Sequence, residues 1–411
     1  MNPVAQLLIT ASQILPGPAD QRIEDGAVLI AGDTIVMVGH RRDVEPHATS
    51  SAVHHDFPGA TVLPGLINCH VHLAFDGSAD PSASVRETPD DELLDAMETR
   101  AQRLLASGVT TVRDLGDRDG LAIRLCDRIL RGERNGPRIV ASGPPITIPD
   151  GHCWFLGGEA GDEQQLRERV RRNAALGADV IKVMASGGQI TPTSPPMWQT
   201  QFDERELQIV VDEATSLDLP VAAHAHGTHA IGAAVNAGVT TIEHCTWLRD
   251  GGGGYDTRDA VAANMAAKGI YACIAWPPDW QGLMQRLGPE RADLVAERFR
   301  WMARLGVPLI PGTDAGLPRS GFDNFADALK LYVHLGYQPA QVIEMATTTS
   351  ARALGLERVW LLSAGYSADL LVVDGDPLAD FDALNRRKLT VARGVQQPLA
   401  GTSPDMLTSG R

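Results

Sequence analysis

Histidines and carboxylates recur in this sequence at spacings that suit metal chemistry. His70 and His72 stand two apart in NCHVHL, His224 and His226 two apart in VAAHAHGTHA with His229 beyond, Glu243 adjoins His244 in TTIEHC, and Asp314 lies in PGTDAG. Residues two apart on an extended strand point to the same side, so both imidazoles of the first pair can reach a single divalent ion. The second pair repeats that spacing. Taken alone, an HxH pair is equally compatible with surface or capped histidines. Lys182, in GADVIKVMASGG, interrupts an apolar run, where an ammonium is costly to bury without a partner; an ion-paired or snorkelling lysine is the plainer alternative. The constellation carries a signal that its parts do not. Neutral imidazoles and a carboxylate are good zinc ligands, and a metal ion so held brings the pKa of bound water toward about 7 and polarises a carbonyl. Hydrolysis is the chemistry such residues suit.

Those residues must be positioned by the elements around them. Eight apolar, strand-like runs alternate with amphipathic stretches such as DDELLDAMETRAQRLLASG: TVLPGLIN, TTVRDLG, RIVASG, DVIKVMA, PVAAHAH, TTIEHCT, IYACIAW and PLIPGTDAG. Parallel strands joined by crossover helices give this pattern. A count of eight favours a closed (β/α)8 TIM-like barrel over an open sheet, and the polar residues then fall at the C-terminal strand ends, where barrels gather functional groups. No GxGxxG or GxxxxGK[ST] element follows any of these runs, so no phosphate cradle is indicated. Short β-type runs over residues 1–58, and ADLLVVDGDP and KLTVARG near the other end, predict a small β-sandwich domain built from both termini, 1–58 with 356–411, around a barrel over 59–355.

Composition narrows the class. The chain has 411 residues, 44% of them hydrophobic, enough to bury a large core. Its 36 Lys and Arg against 51 Asp and Glu leave a net charge of −15, spread thinly, which disfavours nucleic acid and anionic membranes as partners. The N-terminal MNPVAQLLITASQILPG lacks the features of a signal peptide, and no run approaches the roughly 18 apolar residues of a membrane helix. A soluble cytoplasmic protein is expected, with self-association into a homo-oligomer left open. The five cysteines are far apart and form no CxxC pair, so they read as reduced thiols.

PGLINCHVH, the Lys182 strand, the histidines closing the fifth and sixth runs, GTDAG, ATTTSARALGL and SADLLVVDGDP together resemble the imidazolonepropionase-like and prolidase-like branch of the amidohydrolase superfamily. The resemblance spans nearly the whole chain. It implies a binuclear centre, with His70, His72 and Asp314 on one ion, His224 and His244 on the other, and Lys182, carboxylated on its amine, bridging the two. It also implies two zinc ions per chain, and His152, in IPDGHCWF, as a contact to a substrate carbonyl or carboxylate. His226 stands where prolidase-like relatives often carry Tyr, either as a second electrophile toward the substrate or as filling. The residue types make chemical sense of this arrangement. Desolvation lowers the pKa of a buried lysine, its free amine captures carbon dioxide, and the carbamate is an oxygen ligand that relieves the buried charge. Two ions about 3.5–4 Å apart share a hydroxide, and Asp314 takes its proton during attack and delivers it to the departing nitrogen.

The expectation is therefore a zinc-dependent hydrolase of an amide or peptide-like C–N bond. Candidate substrates are dipeptides, N-acyl amino acids, cyclic amides or a peptide natural product. A metal-binding barrel acting as lyase or isomerase, or without hydrolytic activity, is the alternative, because barrels host many chemistries. A one-metal site without the carbamate is a second. Arg319 is the nearest sequence candidate for pairing a terminal carboxylate. Arg113 and Asp114 read as a structural ion pair, and Trp154, Phe155, Trp198 and the SGGQITPTSPPMW loop as an apolar wall over the pocket. Two stretches depart from the family pattern: Phe322 and Asp323 stand where relatives carry His and Gly, and WLLSAGYSADL replaces a Gly- and Lys-containing turn.

Overall fold

The computed structural model describes residues 5–18, 21–191 and 193–397; residues 1–4, 19–20 and 398–411 of the expected terminal domain, and Pro192 of the expected wall, lie outside them. The chain divides into two compact units. One comprises the described residues up to Asn68, Ala101–Thr111 and those from Phe322 onward; the other comprises Cys69–Arg100 and Val112–Gly321.

The first unit is organised on one mixed sheet. Its strands are β1 (Gln6–Ile14), β2 (Ile23–Ala31), β3 (Thr34–His40) and β4 (Val53–Pro64), then β13 (Leu370–Asp374), β14 (Arg387–Ala392) and β15 (Val395–Gln397). They lie in the order β15-β14-β13-β4-β1-β2-β3. β4 runs parallel to β1 and antiparallel to β13, so the two ends of the sequence meet in this sheet as expected. The period of two is visible in burial. Leu7, Ile9 and Ala11 join Val28, Ile30, Val62, Leu370 and Val391 in one core, while Leu8 packs with Ala27, Leu29 and Val44 in another.

The strands that carry the polar constellation are β5 (Leu66–Val71), β6 (Val109–Asp114), β7 (Arg138–Ala141), β8 (Ile181–Met184), β9 (Val221–Gly227), β10 (Thr241–Leu248), β11 (Tyr271–Ala275) and β12 (Leu309–Gly312). Each of the eight expected runs overlaps one of them. β8 to β12 form a five-stranded sheet, β12-β11-β10-β9-β8, in which every pairing is parallel, and β5-β6-β7 form a three-stranded sheet. The α/β class expected from the alternation is thus observed. β8 and β9 are buried along their whole length, which is why they read as continuous apolar runs rather than alternating ones. Isolated parallel bridges join Val71 to Ala315 and Ile146 to Val183, reinforced by the His72 amide donating to Ala315 O and the Ile146 amide to Lys182 O, both at 2.8 Å.

Local chemistry sets the crossover helices. Asp162 caps Glu163–Leu176 through the Gln165 amide, and Asp203 with Glu206 forms a reciprocal capping box on Glu204–Thr215. None of the five cysteines is in a disulfide. No helix among the described residues is long and apolar enough to cross a membrane.

Candidate active site

β5, β8, β9 and β10, with the segments following β7 and β12, converge on one cavity of about 140 Å³. His70, His72, His152, Lys182, His224, His226, His244 and Asp314 all line it. Every residue that the family resemblance marked for metal or substrate contact is therefore brought to one place.

His70 and His72 project from the end of β5, and Asp314 follows β12. Their ligand atoms form a nearly equilateral triangle: His70 Nε2 to His72 Nε2 is 3.3 Å, and Asp314 Oδ1 lies 3.3 Å from each. Zinc–nitrogen bonds of about 2.0–2.1 Å in tetrahedral geometry separate neighbouring ligand atoms by roughly 3.3–3.4 Å, so the triangle fits a metal of that size. Gly312 admits this approach, because a Cβ there would fall 2.6 Å from His70 Cβ. On its other side, His70 Nδ1 meets Glu243 Oε2 at 2.8 Å. Glu243 is wholly buried and held by Arg113 Nη2 (2.7 Å) and Thr241 Oγ1 (2.5 Å). Burial opposes its charge, but Arg113 and the His70 hydrogen bond outweigh burial and hold its carboxyl well below the usual range. A carboxylate on Nδ1 fixes the tautomer that leaves Nε2 free to ligate. His72 is oriented in the same sense by Gly116 O, 3.3 Å from Nδ1.

The second group is His224, His226 and His244, each with a ring nitrogen within 4.8 Å of the others. His244 enters it through an irregularity. Alternation along β10 would send Glu243 and His244 to opposite sides, but β10 shifts register between His244 and Leu248, and His244, Cys245 and Trp247 have φ of 65°, 47° and 58°. Non-glycine residues are rare there, and they cluster at functional sites. Asp314, with φ 57°, is a fourth. The His226 and His244 rings stack at 4.5 Å; His224 Nε2 lies 3.1 Å from Gly187 O and His226 Nδ1 2.7 Å from Thr246 Oγ1. Burial presses these imidazoles toward the neutral form. His224 and His244 fall well below the ordinary histidine value, and His226, further lowered by His152, falls to about 3. Neutral rings keep the lone pairs that a metal requires.

Lys182 lines the same cavity as both groups. It is 1% exposed and its Nζ has no hydrogen-bond partner. Burial depresses its pKa although Glu243 opposes the shift. Asp314 Oδ1 also lacks a hydrogen-bond partner, as does His152 Nδ1. Burial opposes the charge of Asp314, yet the neighbouring His70 and His72 hold it ionised, well below the usual carboxylate range. A buried carboxylate oxygen and a buried amine nitrogen, neither with a hydrogen-bond partner, are costly as they stand. A divalent cation with a carboxylated lysine satisfies both, so these residues fit the metal that the family implies.

Other expectations are corrected. Arg113 pairs with Glu243, not with Asp114, whose carboxylate instead accepts the amides of Leu73 (2.7 Å) and Gly116 (3.1 Å). Arg319 is exposed and does not line the cavity. Neither do Trp154, Phe155 and Trp198; the expected SGGQITPTSPPMW loop does supply part of the apolar wall through Ile190 and Met197, and Met184 and Leu317 complete it. His229 is exposed and paired with Asp250 at 3.4 Å. His152 does face the cavity, its ring 4.8 Å from that of His224 and its burial lowering it to about 3. Gly188 makes room for it, since a Cβ there would fall 2.2 Å from the ring. Sequence reasoning missed Glu243 as the brace of His70; its signal was the same-side spacing of Thr241 and Glu243 on an inward-facing strand.

The amidohydrolase family pattern matches residues 61–396. Ochratoxinase of Aspergillus niger is 25% identical over 426 aligned positions, covering 93% of this chain and 84% of the relative. Imidazolonepropionase of Cereibacter sphaeroides is 27% identical over 389 positions, covering 87% and 90%. Among solved structures, a Xaa-Pro dipeptidase with methionine bound in its active site superposes with a TM-score of 0.81 at 26% identity, over 95% of this chain and 99% of that one.

Proposed function

This chain belongs to the amidohydrolase superfamily, in its imidazolonepropionase-like and prolidase-like branch, and from that premise we propose that it hydrolyses a small amide or peptide-like C–N bond at a site holding two zinc ions. The observation that carries this reading is the coincidence, in one cavity, of Lys182 Nζ and Asp314 Oδ1, two buried polar atoms without a hydrogen-bond partner, with a cluster of imidazoles. His70, His72 and Asp314 would hold one ion, and His224 and His244 the other. Deprotonated Lys182 would add carbon dioxide and release a proton, and the carbamate would supply further oxygen ligands. When bound, the ions supply a water acidified toward a pKa of about 7 and a Lewis acid for the carbonyl oxygen.

The chain's own residues do the rest. Asp314 accepts the proton of the attacking water and returns it to the departing nitrogen. His152 and His226 contact the substrate, orienting its carbonyl side. Met184, Ile190, Met197 and Leu317 exclude water and favour an apolar substituent. The likeness to a Xaa-Pro dipeptidase favours dipeptides ahead of cyclic amides or larger peptides, with N-acyl amino acids as the related class. A second reading of His226 has its own support: its ring nitrogen groups with those of His224 and His244, which makes it a third ligand to that ion. The parallel bridges at Val71 and Val183 support closure of the eight strands into a (β/α)8 barrel.

Elemental mass spectrometry of wild type and Lys182→Ala, alongside a dipeptide and N-acyl amino acid library, tests the proposal. About two zinc ions per chain, falling in the variant together with hydrolysis, is the expected result. A full complement in the variant, or no metal in the wild type, overturns the bridged centre.

A further inference from the structure

A second cavity, of about 410 Å³, opens between the segment after β10 and the helix Pro289–Arg304. Arg298, 3% exposed, lines it. Its Nη1 donates to Thr246 O at 3.0 Å, and its guanidinium lies over the rings of Tyr255 (4.5 Å) and Phe299 (4.9 Å). Its Nε has no hydrogen-bond partner, and no carboxylate pairs with it among the described residues. A buried cation is ordinarily paired or bound to a ligand. The one acid lining this cavity, Glu297, is committed to Arg304 at 2.6 Å. Arg249 also lines the cavity, its Nη2 donating to Tyr255 O at 3.3 Å. Around these charges stand the aromatic rings of Tyr255 and Trp301 and the side chain of Leu294, 54% exposed at the rim.

We propose that this cavity binds a small carboxylate carrying an apolar or aromatic body, with Arg298 holding the anion. A desolvated guanidinium with no carboxylate among its neighbours matches a monoanion in charge. The apolar faces of Tyr255, Trp301 and Leu294 suit the body attached to it. Two sources share this chemistry: a free carboxylic acid, or the carboxylate end of the substrate cleaved at the neighbouring site, the latter resting on the proposed hydrolysis. The cavities are neighbours, because Thr246 gives its carbonyl to Arg298 and its hydroxyl to His226 (2.7 Å).

Calorimetric titration of the full-length, metal-loaded protein with phenylacetate, and with phenylacetamide as the uncharged control, tests this without reference to activity. Saturable binding of phenylacetate, weaker by about tenfold or more for the amide and in Arg298→Gln, is expected. Leu294→Trp fills the rim without removing a buried group, so it tests the site even where Arg298→Gln does not fold; it too weakens phenylacetate by about tenfold. No binding by the wild type, equal binding of the amide, or undiminished binding by Leu294→Trp overturns the proposal. Binding lost in Lys182→Ala but kept in Leu294→Trp overturns it as well, placing the carboxylate in the metal cleft. In the wild type, a site for the substrate's own end makes phenylacetate raise KM for free-carboxylate substrates and spare amidated ones; binding that leaves both KM values unchanged identifies a separately bound acid.

Discussion

The two halves of the cleft are built on different principles. The His70, His72 and Asp314 group contains a carboxylate and is braced from below, His70 by Glu243 and Arg113, His72 by a backbone carbonyl. The His224, His226 and His244 group consists only of neutral imidazoles, two of them stacked, on a backbone distorted at His244. The first group offers a divalent ion charge and preorganisation. The second offers lone pairs alone, so in the proposed centre its hold on an ion would depend on the charge that a carboxylated Lys182 would supply. The first ion is thus expected to bind more tightly than the second.

The sharpest way to break the contrast is Asp314→Asn, which removes both the charge of the first group and the proton carrier. Hydrolysis is expected to fall by about 10³-fold or more, with an unchanged circular dichroism spectrum; retained activity removes Asp314 from the chemistry. Next in size, Lys182→Ala is expected to lower metal content from about two ions per chain to about one, because only the second group depends on it. Loss of both ions in elemental analysis means the groups are not separable. Glu243→Gln acts from the opposite side. It is expected to weaken the first ion by about 10- to 100-fold in chelator competition and to lower the melting temperature, because Arg113 loses its buried charge partner; unaltered affinity assigns the carboxylate to folding alone. The smallest effect is expected from His226→Phe. A several-fold rise in KM at constant metal content fits a substrate contact, whereas a fall in metal content makes His226 a ligand.

Much of the site is visible in the sequence because its parts are local. Two imidazoles separated by one residue share a side of any strand, and a lysine inside an apolar run is conspicuous wherever it occurs. The strands are visible for a related reason: where they are buried along their length, as Ile181–Met184 and Val221–Gly227 are, they are largely apolar apart from the site residues they carry. The cavity wall is only partly visible in this way. Ile190 and Met197 lie in the SGGQITPTSPPMW loop, which its composition marks as a wall, whereas Leu317 comes from an irregular segment with no period to read, and Trp154, Phe155 and Trp198 do not line the cavity.

What the sequence by itself determined about this protein is the inventory: strands, crossover helices, and the ligand-capable side chains at their ends, all set by short-range spacing and burial. Tertiary structure alone decided the partnerships. Arg113 passes over its neighbour Asp114 to a glutamate 130 positions away, His244 turns into the cleft on a left-handed backbone, and Arg298 is buried without a carboxylate. Each is a relation between segments distant in the chain, and hydrogen-bond geometry and desolvation act on distance in space, to which spacing along the sequence is blind.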